Sequence, residues 1–142
     1  MRKQSVYITI IIIVITFAAA SMAETGYIAA EGGLMFKDLS VGTGATAEVG
    51  KIAVIHFSGW LDADGKQGQP IFNSRNYDKP IAFKVGTDIV IKGWNIGVIG
   101  MKVGGMRRLM VPFHLGYGAK GSGDTIPPYT NLIFDVELIE VR

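Results

Sequence analysis

Residues 131–142 read NLIFDVELIEVR, and the alternation in them sets the frame for the rest of the chain. Leu132, Phe134, Val136 and Leu138 fall on one side of an extended backbone, with Asn131, Asp135 and Glu137 on the other. A period of two is the pattern of a half-buried strand. Upstream, Met106 to Pro112 reads as a second strand, and a loop rich in glycine and proline runs from there to Pro128.

From Lys51 to Leu61 the residues are β-branched, aromatic or small, with Ala53, Ile55, Phe57 and Leu61 on one face and Val54, His56 and Trp60 on the other. Asp62 to Lys66 is a turn signal, followed by short strands at Ile71-Phe72 and Ile81–Val85. Leu34 to Leu39 suits a first strand. One segment breaks the strand pattern. From Lys92, Trp94, Val98 and Met101 recur at i, i+4 and i+7, which predicts a helix ended by Gly104-Gly105. Several short strands with one helix predict an α+β domain, a curved and mostly antiparallel sheet wrapped around a short α-helix.

The chain has 142 residues, 49% of them hydrophobic, with 14 basic and 12 acidic side chains and no cysteine. That suits one domain with a real core. It excludes disulfides and thiolate chemistry, and the two histidines, His56 and His114, stand too far apart in sequence to suggest a metal site. Residues 1–23 differ in kind. Arg2 and Lys3 precede an uncharged run from Val6 to Ala20, and Ser21 and Ala23 sit at −3 and −1 of a cut before Glu24. This three-part pattern predicts a cleaved signal peptide and export, to a periplasm or out of the cell. The run is shorter than the roughly 20 residues that span a bilayer, so no stable membrane anchor is expected after cleavage. Removing Arg2 and Lys3 takes the basic count from 14 to 12, equal to the acidic count, and a neutral domain is no nucleic-acid binder. Residues 24–33 carry no clear period and read as a loose, flexible arm, leaving 34–142 as the working domain.

Signals of conventional chemistry fail on context. Gly42-Thr43-Gly44 has no helix after it and no βαβ unit around it. His56, between apolar residues, reads as a hydrogen-bonded core histidine. Arg107-Arg108 reads as a solvated strand edge, and Asp62 and Asp64 as solvated turn residues. Neither acid–base nor nucleophilic catalysis has support.

Six motifs in order carry a resemblance: Val54-Ile55-His56-Phe57-Ser58-Gly59, Phe72-Asn73-Ser74, Val90-Ile91-Lys92-Gly93-Trp94, Tyr117-Gly118, Ile126-Pro127-Pro128 and Leu132–Leu138. From about Leu34 to the C-terminus the chain resembles the FKBP-type peptidyl-prolyl cis-trans isomerases, macrolide-binding immunophilins. The resemblance implies an isomerase of X–Pro bonds, without cofactor or metal, that acts during the folding of exported proteins. Its site would be an apolar aromatic cup with Trp94 as floor and Phe57, Phe72, Ile81, Val90, Ile91 and Phe134 as walls. Tyr117, Ser122 and Ile126 would come from the overhanging loop, and the Ile91 N–H and Tyr117 hydroxyl would hydrogen-bond substrate carbonyls. The implied partners are proline-containing unfolded or partly folded polypeptides and macrolide ligands. A monomer is expected, since no long dimerisation helix is written into the chain.

The chain departs from the family at several of these positions. Asn73 replaces the usual aspartate, Phe57 a common tyrosine and Ile81 a phenylalanine, while Tyr77 stands near a family arginine. These changes imply modest turnover. They also leave open a second reading, a non-enzymatic proline-peptide binding module or holdase chaperone that uses the same cup.

Overall fold

The structure, a computed structural model, describes residues 25–142, so the expected leader lies outside it. Seven strands form one sheet: β1 Ile28–Ala29, β2 Met35–Ser40, β3 Ile52–Ala63, β4 Lys66–Asn73, β5 Ile81–Lys84, β6 Met106–Val111 and β7 Leu132–Val141. Their order is β1-β2-β6-β7-β3-β4, with β5 also against β3, and every pairing is antiparallel. β7 lies between β6 and β3, where its alternating apolar side chains are buried on the inner face. β3 is shared along one edge: Ile52–Ile55 pair with β5, and Ser58–Ala63 with β4. Register shifts after Val54, Gly59 and Trp60 interrupt its ladders. Extra residues of that kind bend a strand and increase its twist, so β3 curls around what it covers.

What it covers is the short helix α1, Lys92–Gly97. The predicted helix is longer; the chain leaves α1 at Gly97 and turns through Gly100. Gly93 and Gly97, four residues apart, share the helix face that rests on β6. A Cβ at Gly97 would stand 2.6 Å from Leu109 Cδ1, and one at Gly93 2.7 Å from Val111 Cγ1. The helix therefore lies closer to the sheet than any side chain would permit. Past Gly97 the chain turns back under it, with the Met101 N–H donating to the Val98 carbonyl at 3.0 Å and Gly100 at φ +84°. Val98 and Met101 stay buried through that turn instead of through a helical stripe.

Two other expectations change. Residues 24–33 include a regular element, since Ile28 and Ala29 pair with Phe36 and Met35. Both side chains remain exposed, so no apolar period marks the strand. Arg107-Arg108 is not a strand edge, because β6 runs between β2 and β7. Arg107 is buried; it donates to Asp38 Oδ1 at 2.7 Å and to the Gly97 and Ile99 carbonyls at 3.0 and 2.9 Å. Its guanidinium also lies 4.2 Å from the Phe36 ring centroid. Arg108, pointing the other way, makes a two-pronged pair with Asp135 at 2.7 and 2.8 Å. Two paired guanidinium groups replace the solvated patch.

Candidate functional site

α1 presents Trp94 to the concave side of the sheet, where the indole is 5% exposed. Phe57 from β3 meets it edge-on with centroids 4.5 Å apart, and Phe134 from β7 stands nearly perpendicular at 5.4 Å. Edge-to-face contacts of this kind add roughly 0.5–1.5 kcal/mol each beyond area burial and fix the mutual tilt of the rings. Phe134 can lie where it does because its neighbour across the ladder is Gly59: a Cβ there would be 2.8 Å from the ring. The Trp94 Nε1 is buried without a hydrogen-bond partner among the described residues.

A cavity of about 620 Å³ opens above this floor. Phe57, Ile71, Phe72 and Ile81 wall one side, and Phe134 another. Ile89, Val90 and Ile91 come from the segment leading into α1. Ile91 is extended, with its carbonyl accepting the Trp94 N–H at 3.1 Å, while its own N–H has no partner among the described residues. The loop between β6 and β7 supplies Tyr117, Ser122, Gly123, Thr125 and Ile126. Its tip is a small hairpin, in which the Ser122 N–H donates to the Ile126 carbonyl at 2.8 Å and the Ile126 N–H donates back at 3.0 Å. That pairing turns Ile126 inward, 6% exposed. Tyr117 is 39% exposed, and its partial burial pushes its hydroxyl above the ordinary value of 10.0, so it stays protonated and able to donate at neutral pH.

Tyr117 is the only titratable side chain on the cavity wall among the described residues. No carboxylate, histidine or lysine among the described residues lines the cavity with Ser122 and Thr125, so the wall has no pair for proton transfer or nucleophilic attack. It can exclude water, enclose an apolar group and offer two donors, the Ile91 N–H and the Tyr117 hydroxyl.

Of the residues singled out in the sequence, Phe57, Phe72, Ile81, Val90, Ile91, Trp94, Tyr117, Ser122, Ile126 and Phe134 meet around this cavity. Asn73 and Tyr77 do not. The Asn73 Oδ1 accepts the Arg75 N–H at 3.0 Å and caps the 3-10 turn Ser74–Tyr77. Tyr77 stacks on the far face of Phe72, with centroids 5.6 Å apart. Sequence reasoning missed Ile71, Ile89 and Gly123 as lining, and it missed Ser74. Ile71 sits beside a flagged aromatic, whereas Ile89 lies in an irregular segment without a period. Ser74 is fully buried, and a serine carries no signal of burial in a single sequence.

Comparison with known proteins agrees with this geometry. Residues 44–139 match the family model described as FKBP-type peptidyl-prolyl cis-trans isomerase. The chain is 44% identical over 110 residues to a protein named FK506-binding protein from Neisseria meningitidis serogroup B, covering 78% of this chain and 97% of that one. Among solved structures, a peptidyl-prolyl cis-trans isomerase from Pseudomonas syringae is similar with a TM-score of 0.71 and 32% identity, over 89% of this chain and 88% of that one. FkpA from Escherichia coli is similar with a TM-score of 0.73 and 31% identity, over 89% of this chain and 56% of that one.

Proposed function

The chain belongs to the FKBP-type peptidyl-prolyl cis-trans isomerase family, and from that premise we propose that the cavity over Trp94 binds a proline ring and speeds rotation of the X–Pro bond before it. The observation that carries the reading is a buried, ring-enclosed floor with two free donors above it and no charged group on its wall.

An amide resists rotation by about 18–20 kcal/mol because its C–N bond has partial double-bond character. For X–Pro the uncatalysed exchange takes tens to hundreds of seconds. At the twisted transition state conjugation is lost and the amide is less polar than in its planar, hydrated form. A dry aromatic cup therefore binds the twisted state better than the planar one, and only such differential binding accelerates a reaction. In this reading Trp94 supports the ring, Phe57, Phe72, Phe134, Ile81 and Val90 enclose it, and Ile126 and Ser122 cover it. The Ile91 N–H and Tyr117 hydroxyl orient the flanking carbonyls and transfer no proton.

The clients are proline-containing segments of polypeptides still folding, for which this rotation is a slow step. Export of the enzyme is supported by the basic start and apolar run of residues 1–23. By the name of its relative from Neisseria, the cup also suits the macrolide FK506.

A protease-free assay on a proline tetrapeptide tests the proposal. Acceleration by micromolar protein supports it, and an unchanged rate overturns it. One observation favours the second reading, binding without catalysis. The Asn73 oxygen is committed to its cap and the side chain lies outside the cup, so no polar group from β4 reaches the rotating amide. In that case a peptide would perturb Trp94 fluorescence while its isomerisation rate stayed at the uncatalysed value.

A further inference from the structure

On the far side of Phe72 lies a second cavity of about 440 Å³, walled by Trp60, Ile71, Phe72 and Tyr77 and edged by Asn73 and Asn76. It shares Ile71 and Phe72 with the cup, so one aromatic wall separates the two. Phe57, Phe72 and Tyr77 form a single run of near-parallel rings, 5.2 Å apart at 20° and then 5.6 Å apart at 19°. The run passes from the wall of the cup out to the surface, where Phe72 is 44% and Tyr77 65% exposed. Adjoining exposed aromatics beside a concavity mark an interaction site.

We infer that this groove is a second subsite, taking an aromatic side chain of the client polypeptide two or three residues from the proline held in the cup. The inference rests on the reading of the cup given above. The spacing favours the same polypeptide over a separate partner. Two centroid steps of 5.2 and 5.6 Å put Tyr77 within about 11 Å of Phe57, the reach of about three extended residues at roughly 3.3 Å each. A group tethered that closely binds at high effective concentration and needs no large interface of its own. The walls set the chemistry. No charged side chain lines the groove, so an ionic residue gains nothing there, whereas a ring can stack on Tyr77 or Trp60. Asn73, whose oxygen is taken by Arg75, still offers its NH₂, and Asn76 stands beside it; both can hydrogen-bond the backbone carried in with the ring.

The chain has two tryptophans, Trp94 in the cup and Trp60 in the groove, so Trp60→Phe and Trp94→Phe each leave one reporter. The probes are a polyalanine peptide with one central proline and versions carrying phenylalanine two or three positions to either side. Every probe should change Trp94 emission in Trp60→Phe. Only a phenylalanine-bearing probe should change Trp60 emission in Trp94→Phe. That probe should bind the unaltered protein about fivefold more tightly than the alanine peptide, a ratio that Tyr77→Ala brings back towards one. Equal affinities for all probes, with Trp94 responding, would overturn the second subsite and leave the cup standing. No response of Trp94 to any probe would overturn both.

Discussion

The Ser74 hydroxyl accepts the Phe57 N–H at 2.8 Å and donates to the Phe57 carbonyl at 3.2 Å, so a side chain completes the edge of β3 where no strand does. β5 pairs with β3 up to Ile55, and β4 takes over at Ser58. Between them one residue of the cup would have both backbone groups buried and unpaired. Ser74 also meets His56 Nδ1 at 2.9 Å, which ties the neighbouring residue to the same point. Ser74→Ala should cost about 2–3 kcal/mol in urea unfolding, because orphaned buried groups lose roughly 1–3 kcal/mol. Isomerase activity should fall with it, since Phe57 is freed. A loss under about 0.5 kcal/mol, within the range of an ordinary surface change, would contradict the bridging role.

Arg107 ties the end of α1 to β2 through the Gly97 and Ile99 carbonyls and Asp38. Arg107→Met keeps the packing on Phe36 but leaves the carbonyls and the carboxylate without their donor. It should destabilise by about 2–3 kcal/mol, as removal of one member of a buried network does. Asp38→Asn should cost less, about 1 kcal/mol, since the Asp38 side chain is 36% exposed and water can replace part of what is lost. Denaturant midpoints would check the ranking, and the reverse order would contradict it.

Gly97→Ala adds one methyl group where Leu109 Cδ1 stands 2.6 Å away. In an exposed helix this exchange would stabilise, by up to about 1 kcal/mol. Here the helix must lift from β6, so a net loss of about 1–3 kcal/mol is expected. Thermal unfolding would show it, and a raised midpoint would mean that α1 is not pressed on the sheet.

Tyr117 gives a pH dependence of definite sign. Burial raises its hydroxyl above 10.0, so the folded state holds the proton more tightly than the unfolded state. Its contribution to stability is fully present below about pH 10 and is lost as pH rises through the folded value. Relative to Tyr117→Phe, the unaltered protein should therefore hold constant stability from about pH 7 to 9 and lose ground only above about 10. A relative loss that begins near neutrality would show that the hydroxyl is not shielded.

Much of this was legible in the sequence because it depends on period and on ring-bearing residues. β7 alternates, β3 is rich in β-branched, aromatic and small residues, and Trp94, Phe57 and Phe134 belong to motifs whose order points to a single cup. What escaped depends on closeness in space. The close approach of Gly97 to Leu109 and the pairing of Arg107 with Asp38 both join residues far apart in the chain. Ser74 stands in the sequence only as the last residue of a motif, and Asn73 is notable there for the charge it lacks, although in the structure it caps a turn. Tyr77, expected to bind substrate from its place near a family arginine, stacks on Phe72 and lines the neighbouring groove.

Exchange NMR on a peptide with one X–Pro bond tests most directly whether the cup catalyses rotation. Cis and trans forms give separate signals whose uncatalysed exchange takes tens to hundreds of seconds. With a catalytic amount of the protein, exchange should become fast enough to broaden or cross-correlate the two signals. Trp94→Leu, which removes the floor and its ring contacts with Phe57 and Phe134, should slow that exchange by about tenfold or more. Saturable binding of the peptide with exchange left at its uncatalysed rate would contradict catalysis by the cup.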